Sequence, residues 1–246
     1  MTEVTPANGT SPTVALVHGA FADSAGWNDV VSALLTDGVP VRAISNPLRG
    51  IDHDAEYVGS ALGQIPGPVL AVGHSYGGAV ITNAALRAGN VVGLVYVAAF
   101  APDEGEALIE IEADSKDSVL NSALQQWPYP GAGGETETEF AIDPEQFHDA
   151  FAADVPEHQA RVMAATQRPI STRGFTERTG TPAWRSLPSW AVVPTGDRAA
   201  GSDVVRRMAE RAGATITEAE GSHVIMISQP KVVTEVVRQA LSQLST

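Results

Sequence analysis

The sequence has no cysteine and few basic residues. Without cysteine, disulfide bonds, thiolate catalysis and cysteine-ligated metal sites are excluded. Lys and Arg number 15 against 29 Asp and Glu, a net charge of −14, which argues against nucleic acid or an anionic membrane surface as a partner. No apolar run reaches the ~18 residues that span a bilayer. Because the N-terminus lacks the basic and apolar regions of a secretory signal, we expect a cytoplasmic protein.

The negative charge is confined to one stretch of the chain. Residues 103–157 hold fifteen acidic side chains and one basic side chain, Lys116, whereas the rest of the chain carries fourteen of each. This shift in composition indicates a separate subregion. Its acidity has two interpretations, which are general solubility and the exclusion of anionic substrates from a pocket mouth.

Short apolar runs alternate with segments of helical spacing along most of the chain. The runs that predict strands cover residues 13–17, 39–45, 69–72, 91–98, 190–193 and, more weakly, 215–217, and the first of them has the continuous apolar character of a strand buried on both faces. Strand–helix alternation of this kind predicts an α/β fold, with a doubly wound, mainly parallel sheet of about six strands. At 43% hydrophobic residues, the chain can bury a sizeable core.

The alternation stops after the fourth predicted strand. Residues 102–187 are richer in charge, proline and glycine, and we expect them to form a helical cap above the C-terminal edge of the sheet. Within this region, residues 131–139 have alternating glutamates and are interpreted as a mobile loop. The predicted core therefore comprises residues 13–101 and 188–246, and residues 1–12 are expected to be a disordered lead-in.

A serine lies at the centre of the most informative segment, Gly73-His74-Ser75-Tyr76-Gly77, which fits the pattern G-x-S-x-G. The pattern gains weight because it follows an apolar strand and opens a helix. A turn this tight strains the serine backbone, and we expect side chains at positions 73 and 77 to collide with it. The helix N-terminus beside Ser75 favours developing negative charge.

His223 is the candidate base that would take the proton of Ser75. It lies in a loop between the last strand and the last helix, at the sheet edge where Ser75 emerges. The other five histidines flank tight turns or lie in polar stretches, and we interpret them as structural: His18, His74, His53, His148 and His158.

Asp197 is the candidate acid that would orient His223. It follows the fifth predicted strand, and the order Ser75, Asp197, His223 is typical of a serine–acid–histidine triad on this type of sheet. Asp103, just after the fourth strand, remains an alternative because an acid there could also reach the histidine. Asp203 is better explained as a helix cap.

An oxyanion hole needs two backbone amides aimed at one point. We expect these amides from Tyr76, which follows the serine, and from Ala20 in the loop after the first strand. Candidate substrate-binding residues are Phe21, Trp127 and Tyr129, although ordinary core packing explains each of them equally well.

Together, these segments resemble the α/β-hydrolase superfamily, and especially its small branch of plant methyl-ester hydrolases, hydroxynitrile lyases and bacterial esterases. The segments that match are 16–20, 73–78, 195–198 and 221–223. The resemblance implies a cap built from residues 102–187 and no cofactor. Lyases of this branch carry threonine and lysine where this sequence has Gly19 and Val224, so both positions match the esterases.

We therefore expect a serine hydrolase that cleaves a small neutral ester or lactone through an acyl-enzyme. The expected partner is a small-molecule ester, with neither nucleic acid nor membrane involved. Two alternatives stay open. One is a non-hydrolytic binding protein on the same fold, and the other is a lyase or perhydrolase that uses the same Ser75 and His223.

Overall fold

The computed structural model describes residues 11–131 and 133–244. In chain order, its strands are β1 (Thr13–Val17), β2 (Val41–Ile44), β3 (Val69–His74), β4 (Val91–Val97), β5 (Leu124–Pro130), β6 (Thr136–Ile142), β7 (Ile170–Ser171), β8 (Ser189–Pro194) and β9 (Thr215–Ala219). Most of the predicted lead-in, residues 1–10, lies outside the described residues.

The described α-helices alternate with these strands. They are α1 (Asn28–Thr36), α2 (Ile51–Gly63), α3 (Tyr76–Ala88), α4 (Leu108–Ala113), α5 (Leu120–Ala123), α6 (Phe147–Phe151), α7 (Glu157–Thr166), α8 (Thr172–Thr176), α9 (Ser202–Arg211), α10 (Ile225–Ser228) and α11 (Pro230–Leu244). Within the described ranges, no helix combines the length and apolar character that crossing a membrane requires.

Six parallel strands form the central sheet, in the order β2-β1-β3-β4-β8-β9. This arrangement confirms the predicted fold class, and the six predicted strands are the six strands of the sheet. Its central strand β3 is buried along its whole length, as the continuous apolar run indicated. Helices flank the sheet, with α2 packed on α3 and α1 on α11.

The segment between β4 and β8 contains more strand than the sequence indicated. Strands β5, β6 and β7 form a second, antiparallel sheet, and the interpretation of residues 131–139 as a mobile loop is wrong from Thr136 onward. The glutamates that argued against a strand are paired: Glu137 accepts a hydrogen bond from Tyr129, and Glu139 pairs with Arg49. The cap is therefore a mixture of helices and sheet.

Part of the acidic charge of the cap is neutralised by arginine. Arg211 on α9 pairs with Glu106, and Arg185 pairs with both Asp103 and Glu104. These pairs are partly exposed, so each contributes little to stability. Their effect is to reduce the local excess of negative charge.

Candidate active site

Ser75 occupies the turn between β3 and α3, with a φ of 53°. A positive φ is strained for a residue with a side chain, and it persists only where the surroundings hold it. Here the Ser75 amide donates to the Val97 carbonyl at 3.2 Å, and the Ser75 carbonyl accepts from the amides of Gly78 (2.9 Å) and Phe100 (3.2 Å). The strained backbone is thus fixed on both sides.

The glycines around Ser75 are required by close backbone contacts. A Cβ on Gly73 would lie 2.6 Å from the Gly77 carbonyl oxygen, and a Cβ on Gly77 would lie 2.5 Å from that of Val17. The predicted need for glycine at both positions is therefore confirmed. Gly19, which the sequence distinguished only by its match to the esterases, is equally constrained: a Cβ there would lie 2.6 Å from Ser75 Cβ.

The structure brings His223 and Asp197 together after β9 and β8, with both side chains buried. His223 Nδ1 lies 2.8 Å from Asp197 Oδ2. Asp197 Oδ1 accepts hydrogen bonds from the amides of Ala199 (2.9 Å) and Ala200 (3.0 Å). Since a carboxylate only accepts, Nδ1 carries the proton of a neutral His223 and Nε2 keeps its lone pair.

Asp103, the alternative acid, is engaged elsewhere. Its Oδ1 lies 2.5 Å from Arg185 Nη2 and accepts from the Glu104 amide at 2.8 Å. Of the two candidate acids, only Asp197 is hydrogen-bonded to His223 in the described chain. No hydrogen bond among the described residues joins Ser75 Oγ to His223 Nε2, a contact that in free enzymes often shortens only when substrate binds.

His74 supports the backbone of His223. Its Nε2 donates to the His223 carbonyl at 2.9 Å, and the two rings are 4.8 Å apart. Burial, reinforced by the neighbouring His223, holds the pKa of His74 well below its ordinary value, so His74 stays neutral. Phe151 from the cap packs against the His223 ring at 4.9 Å.

A carboxylate of the cap holds the residue that precedes His223. Asp154 accepts hydrogen bonds from the Ser222 amide (2.8 Å), from the Ser222 hydroxyl and from the Ser228 hydroxyl (2.6 Å). Nothing in the sequence distinguished Asp154 from the other acidic residues of its region, because the contact joins segments distant in the chain. The cap therefore helps to position the histidine loop.

His18 shapes the loop that follows β1. Its Nδ1 donates to the Gly19 carbonyl, and its Nε2 accepts from the Asn46 amide, both at 2.9 Å. Burial is the main cause that lowers the pKa of His18. Arg168 of the cap also reaches His18 Nε2, at 3.2 Å, and the Asn46 carbonyl, at 3.0 Å.

The two predicted oxyanion donors lie in positions consistent with that role. Tyr76 is the first residue of α3, so its amide has no acceptor within the helix. In the loop after β1, the Phe21 amide donates to the Arg168 carbonyl at 3.1 Å, while the hydrogen bonds of the described chain leave the Ala20 amide unused. Ala20 and Phe21 are both buried.

Two cavities lie beside the stacked rings of Phe21 and Phe175. The smaller, of about 230 Å³, is enclosed by α4, α8 and the cap sheet, and its lining residues are Ile109, Glu112, Asn121, Leu124, Gln126, Phe140, Thr172, Phe175 and Thr176. The larger, of about 470 Å³, lies between the loop after β1 and helix α7, and Phe21 and Val224 are among its walls. Phe21 stacks on Phe175 at 6.5 Å and so separates the two cavities.

The two other candidate substrate-binding residues lie elsewhere. Leu124 and Gln126 line the smaller cavity, so the alternation of β5 points Trp127 and Tyr129 to the opposite face of the cap sheet. Trp127 is 43% exposed, and Tyr129 is held by Glu137 and stacked under Arg49. These two aromatics therefore do not line the smaller cavity, and their part in substrate binding stays a prediction.

The model of the alpha/beta hydrolase family matches residues 14–236. Polyneuridine aldehyde esterase is 19% identical with a TM-score of 0.78, covering 96% of this chain and all of the other. A pyrethroid hydrolase from Sphingobium faniae JZ-2 is 20% identical, with a TM-score of 0.78 and coverages of 95% and 98%.

A methylesterase from Arabidopsis is similar to the same extent, with 18% identity, a TM-score of 0.77 and coverages of 94% and 99%. No curated protein matches the chain. At these identities, the solved structures show a shared fold. The family model covers most of the sequence, including Ser75, Asp197 and His223, and the chain belongs to the alpha/beta hydrolase family.

Proposed function

We propose that this protein is a serine hydrolase that cleaves a small neutral carboxylic ester or lactone through an acyl-enzyme. The observation that carries the proposal is the buried hydrogen bond between His223 Nδ1 and Asp197 Oδ2, at the sheet edge where the strained turn presents Ser75. A histidine held in this tautomer offers Nε2 as a base. Membership of a hydrolase family and similarity to the fold of esterases support the same reaction class.

In the proposed reaction, Ser75 Oγ attacks the ester carbonyl and His223 Nε2 takes the hydroxyl proton. The negative charge moves to the carbonyl oxygen, where the amides of Ala20 and Tyr76 stabilise it. His223 then gives the proton to the leaving alcohol as the C–O bond breaks. Asp197 remains ionised throughout and stabilises the imidazolium.

Deacylation repeats these steps with water as the nucleophile. His223 takes a proton from the water, the resulting hydroxide attacks the acyl carbonyl, and the proton returns to Ser75 as the acid is released. The base therefore ends each cycle in its starting tautomer.

Position 19 favours ester hydrolysis over the hydroxynitrile-lyase alternative. A Cβ there would approach Ser75 Cβ to 2.6 Å, so this backbone has no room for the threonine that those lyases carry at this position. Val224, directly after His223, is buried and apolar, and offers no cation for a cyanide leaving group.

A fluorophosphonate probe tests the proposal directly, because it labels only an activated serine. We expect the wild-type protein to be labelled, Ser75→Ala to lose labelling, and Ser60→Ala, on the exposed side of α2, to keep it. Labelling that persists in Ser75→Ala would exclude Ser75 as the nucleophile. A folded wild-type protein that resists the probe would instead favour a non-hydrolytic binding protein.

A further inference from the structure

Glu112 carries a carboxyl group that is buried in largely apolar surroundings. It lies on α4, is 5% exposed and lines the smaller cavity among the apolar side chains of Leu124, Phe140 and Phe175. Burying a carboxylate in apolar surroundings is costly unless hydrogen bonds or a cation compensate it. No lysine, arginine or histidine is among the described residues that line this cavity.

Few polar groups of the protein offset the cost of burying this carboxyl group. Its described hydrogen-bond partner is the Ser118 hydroxyl, 3.3 Å from Glu112 Oε1. That hydroxyl has a single proton and also lies 2.6 Å from the Ala199 carbonyl. The shorter distance means that the proton is donated mainly to Ala199. Glu112 Oε2 accepts no hydrogen bond from the described residues. An oxygen in this state, facing a cavity, is available to a ligand.

The Ser118 hydroxyl, 3.3 Å from Glu112, donates to the Ala199 carbonyl, and the Ala199 amide donates to Asp197 Oδ1, so two residues separate Glu112 from the proposed triad. The cavity also has an aromatic contact with the loop after β1. Its wall residue Phe175 stacks on Phe21, which directly follows the proposed oxyanion donor Ala20. Burial raises the pKa of Glu112 to about 7; the Ser118 hydrogen bond and His223 oppose this shift, and Asp197 adds to it. The carboxyl therefore lies within electrostatic range of the His223–Asp197 pair.

We propose that Glu112 determines substrate specificity by accepting a hydrogen bond from a hydroxyl or ammonium group carried by the ester. The proposal rests on the proposed hydrolase function and narrows its substrate class to esters with a hydrogen-bond donor at one end. The aromatic and aliphatic walls of the cavity contact the hydrocarbon part of such a substrate, and Glu112 binds its polar end.

Binding to the Ser75→Ala variant tests the proposal without turnover. The ligands are linear esters of matched length whose far end is a methyl, a hydroxyl or an ammonium group, placed on the acyl or on the alcohol side. Calorimetric titration compares Ser75→Ala alone with the same variant carrying Glu112→Leu or Glu112→Gln. The matched control is Glu110→Gln, an exposed carboxylate on the same helix that pairs with Arg178.

We expect the hydroxyl or ammonium ester to bind Ser75→Ala about tenfold or more tightly than the methyl ester. Glu112→Leu should abolish this preference and Glu110→Gln should keep it. Glu112→Gln, which retains a carbonyl acceptor but no charge, should lose a preference for ammonium and keep part of a preference for hydroxyl, and so identifies the donor.

Equal affinity for the three esters, or a preference that survives Glu112→Leu, would overturn the proposal. Thermal unfolding of each variant shows whether it is folded, and Glu112→Gln preserves the side-chain volume if the leucine variant is not. Because binding is measured without Ser75, its outcome is separate from probe labelling, which tests the hydrolase function itself.

Discussion

Asp154, a residue of the cap, accepts hydrogen bonds from both the amide and the hydroxyl of Ser222 in the core. Ser222 directly precedes His223, so the position of the proposed base depends on a contact with the cap. The cap therefore contributes to the geometry of the site, in addition to enclosing its cavities.

We expect Asp154→Ala to lower kcat about tenfold while leaving KM nearly unchanged, because a small displacement of a catalytic group is costly even when binding is intact. Steady-state kinetics on a cleaved ester measures both constants. Asp149→Ala, an exposed residue of the same region, is the control. A rise in KM with no loss of kcat would assign Asp154 to substrate binding.

Asp197→Asn should lower kcat by a factor on the order of 10³–10⁴, because asparagine cannot hold His223 with its proton on Nδ1. Asp103→Asn should retain most of the activity, since Asp103 pairs with Arg185. The two variants can be compared by ester hydrolysis and by the rate of fluorophosphonate labelling. The reverse ranking would make Asp103 the acid of the triad.

Gly19→Ala should slow fluorophosphonate labelling by about 100-fold or more, because the new Cβ would lie 2.6 Å from Ser75 Cβ and must displace the turn. The control is Gly180→Ala, whose Cβ would have its nearest neighbour, Asn83 Oδ1, at 3.6 Å. Near-normal labelling of a folded Gly19→Ala protein would show that the turn yields without loss of function.

Glu112→Gln should stabilise the protein at alkaline pH. The folded-state pKa of Glu112 is raised to about 7, so the folded protein retains a proton that the unfolded chain has released above about pH 4.5. Wild-type stability therefore falls as pH rises from about 4.5 to 7, by up to about 3 kcal/mol. Glutamine does not ionise and avoids this loss.

Thermal unfolding at several pH values measures the effect. The gain in Tm of Glu112→Gln should be several degrees at pH 8 and should shrink towards pH 5. A gain of the same size at both pH values would mean that the ionisation of Glu112 is not its cause.

The acidity of the cap gives a further expectation. Esters that carry a carboxylate should be cleaved more slowly than neutral isosteres at low salt, and the difference should narrow as salt is added. Equal rates of cleavage for the two kinds of ester at low salt would indicate that the negative charge serves general solubility. The arginine pairs of the cap reduce this effect without removing it, because they neutralise only part of the acidic side chains.

The sheet could be predicted from the sequence because its four inner strands, β1, β3, β4 and β8, are buried on both faces and appear as continuous apolar runs. The turn at Ser75 could also be predicted, because its glycines are required by contacts within a few residues of the turn or with the adjacent strand. The cap sheet could not be predicted, because β6 depends on Tyr129 and Arg49 to pair its glutamates. Such partners are set by tertiary structure.

The same limit applies to the residues around the site. Asp154 contacts Ser222 and Glu112 shares a cavity with Phe175, and both neighbours are far away in the chain. The sequence alone does not distinguish these two residues from the other acidic residues of their stretch. Trp127 and Tyr129 were suggested by residue type alone, and residue type does not show that β5 turns both side chains away from the smaller cavity.

Arg168 joins the cap to the loop after β1 through its carbonyl, which binds the Phe21 amide, and through its guanidinium, which binds Asn46 and His18. Lifting residue 168 away from the core would break all three contacts and release the segment that contains Ala20. In the proposed mechanism, a molecule with its cap raised would thus have lost one oxyanion donor. The seating of residue 168 and the integrity of the proposed oxyanion hole therefore depend on the same three hydrogen bonds.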